Sequence, residues 1–411
     1  MPSAVGRHFR CLLLCVLMAA TSSVGQAQAQ TPTPKTQFRV ALFPYLPDTL
    51  GDKFLSMLAR IEREFEAQNQ SIDLVLRPLD PNDDLYDSAT LSKWLTADPA
   101  GGGYDMVEVD TVVLGELIDA NLLTPWESPP GVSDWHPAGR AGVSVNGRIY
   151  GVPHWLCGHF IFSRDKRVSK AKTVTELLAA LEKADPQVPN LTGNMLGSWN
   201  LPALYLDAWA DTHGTGGVGS AITPTLDAGV MKPFKQFSQQ CETGGKNPCI
   251  DGTFDDNDLS ARQFALGKSD AFLGYSERLS YMLRQGAEAK KIRISSAPLG
   301  EGKRPLLFVD AFAIRRGCDA ACQQAASRFA AYMNAPATQE WILMSRDKGE
   351  NVVSRYLLPA TRSAFRTRSV RRDAHFKRLA EEIEDGVPYP AHGLPAARRK
   401  MRDAILAELK Q

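Results

Sequence analysis

Residues 147–165 read Gly-Arg-Ile-Tyr-Gly-Val-Pro-His-Trp-Leu-Cys-Gly-His-Phe-Ile-Phe-Ser-Arg-Asp. A turn at Asn146-Gly147 leads into this stretch, and residues 149–162 are largely apolar and rich in aromatic side chains, which predicts extended structure. The stretch begins a second α/β region, because the residues before it already complete a series of strands and helices. We therefore predict two α/β parts, with this segment at their junction.

The chain before residue 147 alternates between short apolar runs and amphipathic runs with helical spacing. The predicted strands are 38–46, 72–79 and 106–109, and the predicted helices are 53–65, 85–95 and 112–119. Such alternation predicts a parallel sheet with helices on both faces, whose ligands lie beyond the carboxyl ends of the strands. Tyr45 and Asp110 stand at or just past such ends, so they are candidate site residues.

The chain after residue 165 continues with both kinds of element. The predicted helices are 174–183, 203–210, 261–266, 325–334 and 338–344, and the predicted strands are 270–273 and 306–314. A charged, mostly helical tail begins at residue 371. Asp310 interrupts the otherwise apolar strand 306–314, and an aspartate in such a place requires a buried partner.

Length and charge limit the classes of function. The 411 residues carry 47 basic and 46 acidic side chains, a formal net charge of +1, which indicates no nucleic-acid or polyanionic partner. Single cores stop growing at about 250–300 residues, so a chain of this length is expected to form two lobes.

The first 29 residues are predicted to be a signal peptide. Basic residues precede a short apolar run, and Ala27-Gln28-Ala29 offers small residues for cleavage. The run is too short to span a bilayer, which needs ~20 apolar residues. Residues 30–37 form a polar, proline-bearing linker, and the mature protein is expected in the periplasm or outside the cell, without a membrane anchor.

Removal of the signal peptide would leave five cysteines, an odd number. The close pairs Cys241/Cys249 and Cys318/Cys322 are expected to form disulfides in an oxidising compartment, which leaves Cys157 without a partner. An unpaired thiol in an exported protein is either a buried, inert residue or a functional nucleophile. The count alone does not decide between them.

A nucleophilic thiol requires a base, because only the thiolate is strongly nucleophilic. The candidate bases are His154, His159 and Glu277, although an acid placed like Glu277 is also typical of the first turn of a helix. Metal binding by Cys157 and the two histidines is disfavoured, because His154 faces the opposite side of an extended segment and no carboxylate lies at ligand spacing. We expect no metal and no organic cofactor.

Two segments resemble extracellular solute-binding proteins, namely 147–165 and Phe264-Ala265-Leu266-Gly267-Lys268-Ser269-Asp270-Ala271. The resemblance implies a type II periplasmic-binding-protein-like fold, in which two α/β lobes, each a mainly parallel sheet flanked by helices, enclose a ligand cleft. The implied N-terminal lobe is 38–150 plus 307–345, and the implied C-terminal lobe is 151–306 plus 346–411. Plain ligand binding is the default function of such a fold.

Five short motifs, in order along the chain, resemble the thiaminase I (thiamine pyridinylase) family. They are Leu42-Phe43-Pro44-Tyr45-Leu46-Pro47-Asp48, Val107-Glu108-Val109-Asp110, the segment 151–157, Gly274-Tyr275-Ser276-Glu277 and Phe308-Val309-Asp310. The resemblance implies an exported transferase that replaces the thiazole of thiamine with a nitrogenous base, such as pyridine or aniline, or with a thiol. Phe43 and Phe308 depart from the pattern, since tyrosines are common at both places.

The same resemblance assigns roles to individual residues. Cys157 matches the nucleophile that forms a covalent intermediate with the pyrimidine, and Glu277 matches the catalytic acid/base. The matching substrate-binding residues are three tyrosines and two aspartates: Tyr45, Tyr86, Tyr275, Asp110 and Asp310. Aromatic faces suit a flat, cationic ligand, and carboxylates can accept hydrogen bonds from an aminopyrimidine.

The sequence leaves a second class of function open, a non-catalytic exported binding protein for thiamine or a related heterocycle. In that case Cys157 would only line the cleft. A third possibility is hydrolysis, with water as the acceptor. The transferase hypothesis predicts thiamine and a small nucleophilic co-substrate as partners, no nucleic acid, and a monomeric protein.

Overall fold

The computed structural model describes residues 35–80, 82, 84–182, 188–348 and 352–411. The predicted signal peptide and residues 30–34 of the predicted linker lie outside these ranges. Thr36 and Gln37, which we expected in the linker, already pair with Ile72 and Asp73 in the first two strands. Among the described residues, none of the helices has the length and hydrophobicity of a membrane span.

Strands and helices follow one another along most of the chain. The strands are β1 (Thr36–Ala41), β2 (Ile72–Leu76), β3 (Met106–Asp110), β4 (Leu123–Thr124), β5 (Ser144–Val145), β6 (Arg148–Ile149), β7 (Val152–Cys157), β8 (His159–Ser163), β9 (Leu191–Gly193), β10 (Ala271–Tyr275), β11 (Arg293–Ser296), β12 (Leu306–Arg315), β13 (Leu358–Pro359) and β14 (Val387–Pro388). The helices are α1 (Leu55–Gln68), α2 (Ser88–Thr96), α3 (Leu114–Asp119), α4 (Pro137–Gly142), α5 (Val174–Leu181), α6 (Asn200–His213), α7 (Ala228–Gln239), α8 (Asn257–Ala265), α9 (Arg278–Arg284), α10 (Ala320–Met333), α11 (Pro336–Leu343), α12 (Ala374–Ile383) and α13 (Leu394–Leu409).

The larger sheet has the strand order β13-β7-β12-β3-β1-β2, and β4 and β14 also pair with β12. Its strands β1, β2 and β3 are parallel, as the alternation of strands and helices predicts. Helices α1 and α10 cover one face, where Phe65 and Phe329 pack with Phe38 of β1 and Phe312 of β12. Each phenylalanine buried in this way stabilises the fold by about 1.5–3 kcal/mol.

The smaller sheet has the order β11-β8-β10-β9. It is antiparallel on both sides of β8 and parallel between β9 and β10. The α/β class is confirmed, but both sheets are mixed and not mainly parallel as we expected. The reason is that β8 and β12 are reached by crossings between the two sheets, and β7 follows the separate β5–β6 pair. None of the three is reached through a strand–helix–strand unit, the connection that makes neighbouring strands parallel.

The chain passes from the larger to the smaller sheet at Gly158, between the end of β7 and the start of β8. A Cβ atom at this position would lie 2.8 Å from Leu307 Cδ2 and 3.2 Å from the Leu306 carbonyl oxygen, so only glycine fits without a shift. The crossing therefore comes later than the predicted lobe boundary at residue 151, and the residue ranges of the two lobes stay a prediction.

Both expected disulfides are present, Cys241–Cys249 at the end of α7 and Cys318–Cys322 at the start of α10. Cys157, the last residue of β7, is the free cysteine of the described residues and is half-buried. The pairing inferred from the cysteine spacing is thus confirmed.

A thiol count follows from this pairing. In denaturant without reductant, a chain comprising residues 30–411 is expected to present one titratable thiol, and five after reduction, because four of its cysteines are bridged. Titration with a chromogenic thiol reagent measures both values. Three or five thiols before reduction would contradict the pairing.

Candidate active site

A cavity of about 410 Å³ lies where the two sheets face each other. Its walls include the ends of β3 and β7 and the first half of β12 from the larger sheet, and the end of β10 from the smaller sheet. The predicted site residues all line it: Tyr45, Tyr86, Asp110, Cys157, Tyr275, Glu277 and Asp310. A cavity of this size matches the range that small organic ligands occupy in proteins.

Cys157 is held in the cavity wall by its strand, since β7 pairs with β12 and places Cys157 opposite Phe308. Burial raises the pKa of its thiol well above the ordinary value. The nearby carboxylates of Glu277, Asp310 and Asp110 raise it further, and Arg278 opposes them. Without a ligand, the thiol is therefore held in its neutral form.

Glu277 lies between the end of β10 and the start of α9 and is 7% exposed. Glu277 is the N-cap residue of α9, the place that the helix-end explanation expects for an acid, but its side chain makes no capping hydrogen bond. Arg278 Nη2 lies 3.6 Å from Glu277 Oε1, and the same guanidinium also pairs with Asp258. Burial raises the pKa of Glu277, and the Arg278 charge partly offsets the rise.

Asp110 and Asp310 stand directly opposite each other in the β3–β12 register, both at least 95% buried. Asp110 accepts hydrogen bonds from the Val112 backbone N–H at 3.0 Å and from the Tyr86 hydroxyl at 3.1 Å. Burial raises the pKa of Asp110 to about 7. Burial also raises the pKa of Asp310 well above its ordinary value, and Asp110 adds to that rise. The facing carboxyl of Asp110 is thus a buried neighbour of Asp310, but its like charge disfavours the ionised form of Asp310 and does not compensate it.

The carboxyl pair predicts a pH-dependent stability. A carboxyl whose pKa is raised by folding stabilises the fold below its unfolded pKa, and this contribution is lost as the pH rises through the folded value, about 7 for Asp110. We expect the melting temperature to fall between pH 5 and 8.5, and the fall to be about 3 °C smaller in Asp310→Asn, which leaves one carboxyl to ionise.

Thermal unfolding followed by circular dichroism at the two pH values checks this expectation. Asp403→Asn is a suitable control, because Asp403 is exposed and pairs with its neighbour Arg402 on α13. An equal fall in native protein and Asp310→Asn would refute the carboxyl pair as the cause.

Aromatic rings form the remaining wall of the cavity. The Tyr45 and Tyr86 rings are nearly parallel, 20° apart, with centroids separated by 6.2 Å. Trp199 contacts Tyr86 at 4.2 Å between centroids. Phe43 and Phe308 line the cavity with phenyl rings, so the two hydroxyls expected from the family resemblance are absent at these positions. The cavity thus offers flat, apolar faces beside buried acids.

Both candidate histidines have acidic partners away from the cavity lining. His154 Nδ1 lies 2.6 Å from Glu108 Oε1, and His159 Nδ1 lies 2.9 Å from Asp207 Oδ2. The His159 ring stacks on Tyr275, with centroids 4.8 Å apart. Glu277, and not a histidine, is therefore the candidate base that shares the cavity with Cys157.

Sequence reasoning missed several cavity residues. Trp199 precedes α6, Arg278 begins α9, and Leu357 and Arg398 come from the last sixty residues; Asp84 and Asn257 also line the cavity. Arg398 begins a run of three basic residues, which is typical of a solvated helix face. Only the tertiary structure shows that it turns inward.

Comparisons with known proteins agree with this architecture. The family described as bacterial extracellular solute-binding protein matches residues 63–377. The thiaminase-1 of Paenibacillus thiaminolyticus is 25% identical over 375 residues, which cover 86% of this chain and 83% of that protein.

Two solved structures share the fold. Thiaminase I of Clostridium botulinum, in complex with thiamin, has a TM-score of 0.72 at 19% identity, covering 91% of this chain and 100% of that chain. A maltose-bound protein of T. maritima has a TM-score of 0.63 at 16% identity, covering 91% of this chain and 99% of that chain. The two-lobed fold and the resemblance to thiaminase I, both inferred from sequence, are confirmed.

Proposed function

The chain belongs to the bacterial extracellular solute-binding protein family, and we propose that within it the protein is a thiamine-degrading transferase. It would replace the thiazole of thiamine with a nitrogenous base or a thiol. The observation that carries the proposal is that the free thiol Cys157 shares one buried cavity with Glu277 and the facing carboxyls of Asp110 and Asp310. The similarity to a thiaminase over 86% of the chain supports it.

Substrate binding would activate the thiol. Thiamine carries a positive charge on its thiazolium ring, and the cavity holds three buried carboxyl groups beside Cys157. These groups raise the pKa of the thiol in the free protein. A bound cation offsets their effect and so favours the thiolate, which ties activation of the nucleophile to the presence of its target.

Covalent attack would make the thiazole a better leaving group. Addition of the Cys157 thiolate to a pyrimidine ring carbon breaks the aromaticity and gives an enamine-like intermediate, which expels the thiazole from the exocyclic methylene. The incoming base adds to that methylene, and elimination of the cysteine sulfur restores the ring.

Glu277 would move the protons of both steps. It accepts the thiol proton and then exchanges protons with the pyrimidine nitrogen and amino group. Its raised pKa brings the carboxyl closer to neutral pH, where an acid/base catalyst works best. Asp110 and Asp310 are suited to accept hydrogen bonds from the aminopyrimidine, and Tyr45, Tyr86 and Tyr275 to enclose the rings.

The partners in this proposal are thiamine and a small nucleophile of the pyridine, aniline or thiol type. The balanced charge of the chain fits a protein without a nucleic-acid partner. We further propose a monomer that is exported by the signal peptide at residues 1–29, as membership of an extracellular family supports.

A second candidate is a binding protein for thiamine or a related heterocycle. The likeness to a maltose-bound protein of T. maritima favours it, because a protein of the same fold holds a bound small molecule there. In this case Cys157 would stay a neutral thiol in the cavity wall.

One experiment separates the two candidates. The purified protein is incubated with thiamine and aniline, and free thiazole is followed by chromatography, with Cys157→Ser and Glu277→Gln alongside. We expect thiazole only with the native protein. If thiamine binds to the native protein but remains intact, the transferase hypothesis is wrong and the binding-protein hypothesis takes its place.

A further inference from the structure

Arg398 is a cationic cavity residue that plays no part in the chemistry above. It lies on α13, only 8% exposed, and reaches the cavity beside Trp199. Its guanidinium carbon stands 4.0 Å from the centroid of the Trp199 ring, and Nη1 donates a hydrogen bond of 3.2 Å to Ser198 Oγ. The contact with the ring face restrains the guanidinium and leaves other N–H groups for further contacts.

The guanidinium of Arg398 has N–H donors that its hydrogen bond to Ser198 does not use. It carries five N–H groups, and its hydrogen bond to Ser198 uses one of them. In the described part of the chain no carboxylate lies within ion-pair distance of Arg398, whereas Arg278, the other cavity arginine, pairs with both Glu277 and Asp258. None of the Arg398 nitrogen atoms is both sealed from solvent and unbonded. The remaining donors therefore face accessible space.

The position of Arg398 gives the cavity two chemically different ends. The guanidinium carbon of Arg398 lies 4.0 Å from the Trp199 ring centroid, and the Trp199 and Tyr86 ring centroids are 4.2 Å apart. The Tyr86 hydroxyl in turn donates a hydrogen bond of 3.1 Å to Asp110. Two aromatic rings thus separate a cationic end from the acidic end. A ligand whose pyrimidine lies at the acidic end would extend its other half along the rings towards Arg398.

Among the described residues, Asp84 is an acid at the cationic end. Asp84 lines the cavity there, and its Oδ1 accepts a hydrogen bond from the Tyr86 backbone N–H at 3.0 Å. Its charge raises the pKa of Arg398, while burial, the larger effect, lowers it. Asp84 reduces the positive potential without occupying the free donors.

We propose that Arg398, stacked on Trp199, binds an anionic substituent, such as a phosphate, sulfonate or carboxylate, on the part of the substrate that lies away from the pyrimidine. This inference rests on the proposed function and deepens it. The substituent can come from two sources, the thiazole half of a phosphorylated thiamine or the acceptor that replaces the thiazole in the same space. Planar guanidinium groups bind such anions through two parallel hydrogen bonds.

The test compares neutral and anionic substrates in two arms. In the donor arm, kcat/KM for thiamine monophosphate is divided by that for thiamine, with aniline as acceptor. In the acceptor arm, the value for 4-aminobenzenesulfonate is divided by that for aniline, with thiamine as donor. We expect one of the two ratios to be about tenfold or more in the native protein, as a hydrogen-bonded charge pair provides.

Variants assign the preference to the guanidinium. Arg398→Gln is expected to bring the raised ratio close to 1, and Arg398→Lys to retain part of it, since lysine keeps the charge but not the paired donors. Arg399→Gln is the matched control, because it removes the same charge from the exposed neighbouring position of α13 and should leave the ratio unchanged. Ratios are used because a general loss of stability or turnover lowers numerator and denominator together.

The anion site at Arg398 can be tested even if the protein is not a transferase. If the native protein does not cleave thiamine, calorimetric binding of thiamine and thiamine monophosphate replaces the donor arm, with the same variants. Tighter binding of the monophosphate that is lost in Arg398→Gln would support the anion site without the enzyme. No preference for an anion in any arm, or a preference that Arg398→Gln retains, would overturn the inference.

Discussion

Replacement of Cys157 by serine is expected to lower the rate of thiamine cleavage by about 10⁴-fold or more, because the hydroxyl cannot supply the thiolate that adds to the pyrimidine. Steady-state release of thiazole in the presence of aniline measures the loss. Cys157→Ala should show the same loss. Thiamine should still bind to both variants, since the aromatic rings and carboxyls of the cavity remain.

The binding measurement is the control for this prediction. Thiamine affinity within about threefold of the native value, with turnover lost, would assign the thiol to the chemical step and not to the architecture of the cavity. Thiamine should also protect Cys157 from alkylation, because the thiol lines the cavity. Serine or alanine variants that cleave thiamine at more than about one tenth of the native rate would exclude a covalent cysteine mechanism.

Replacement of Glu277 by glutamine is expected to lower turnover by about 10²–10⁴-fold, the usual contribution of a positioned acid/base. The pH profile gives the sharper signature. The native rate should fall as the pH drops through the pKa of Glu277, which burial raises, because only the carboxylate can take the thiol proton. Glutamine does not titrate, so the residual rate of the variant should lack this acidic limb.

Glu288 provides the matched control. It is exposed and pairs with Lys291 on the protein surface, so Glu288→Gln makes the same chemical change away from the cavity. Its rate and pH profile should equal those of the native protein. An acidic limb that persists in Glu277→Gln would assign the titration to another group, with the Asp110/Asp310 pair as the first alternative.

Part of the fold follows from local features of the sequence. The β1–α1–β2–α2–β3 series appears as alternating apolar and amphipathic runs, because each strand and helix buries one face and so fixes its own periodicity. The cysteine count isolated Cys157 correctly, since both disulfides join cysteines that are close in sequence. Features that depend on residues close in sequence can be predicted without knowledge of the tertiary structure.

Other features depend on contacts between distant residues. The antiparallel placement of β12 beside β3 and β7 cannot be read from periodicity, which is the same for parallel and antiparallel pairs. The opposition of Asp110 and Asp310 is a consequence of that register, two hundred residues apart. Arg398 reaches the cavity because α13 packs against α6, a contact that no local sequence pattern encodes.

The most direct test of the account is the mass of the protein mixed with thiamine in the absence of an acceptor and quenched in acid. We predict that the intact mass increases by one aminopyrimidine-methylene group, that digestion locates the adduct on Cys157, and that one equivalent of thiazole is released. The adduct should be absent from Cys157→Ser and should disappear from the native protein when aniline is added. Release of thiazole with Cys157 unmodified at every quench time would contradict the covalent mechanism.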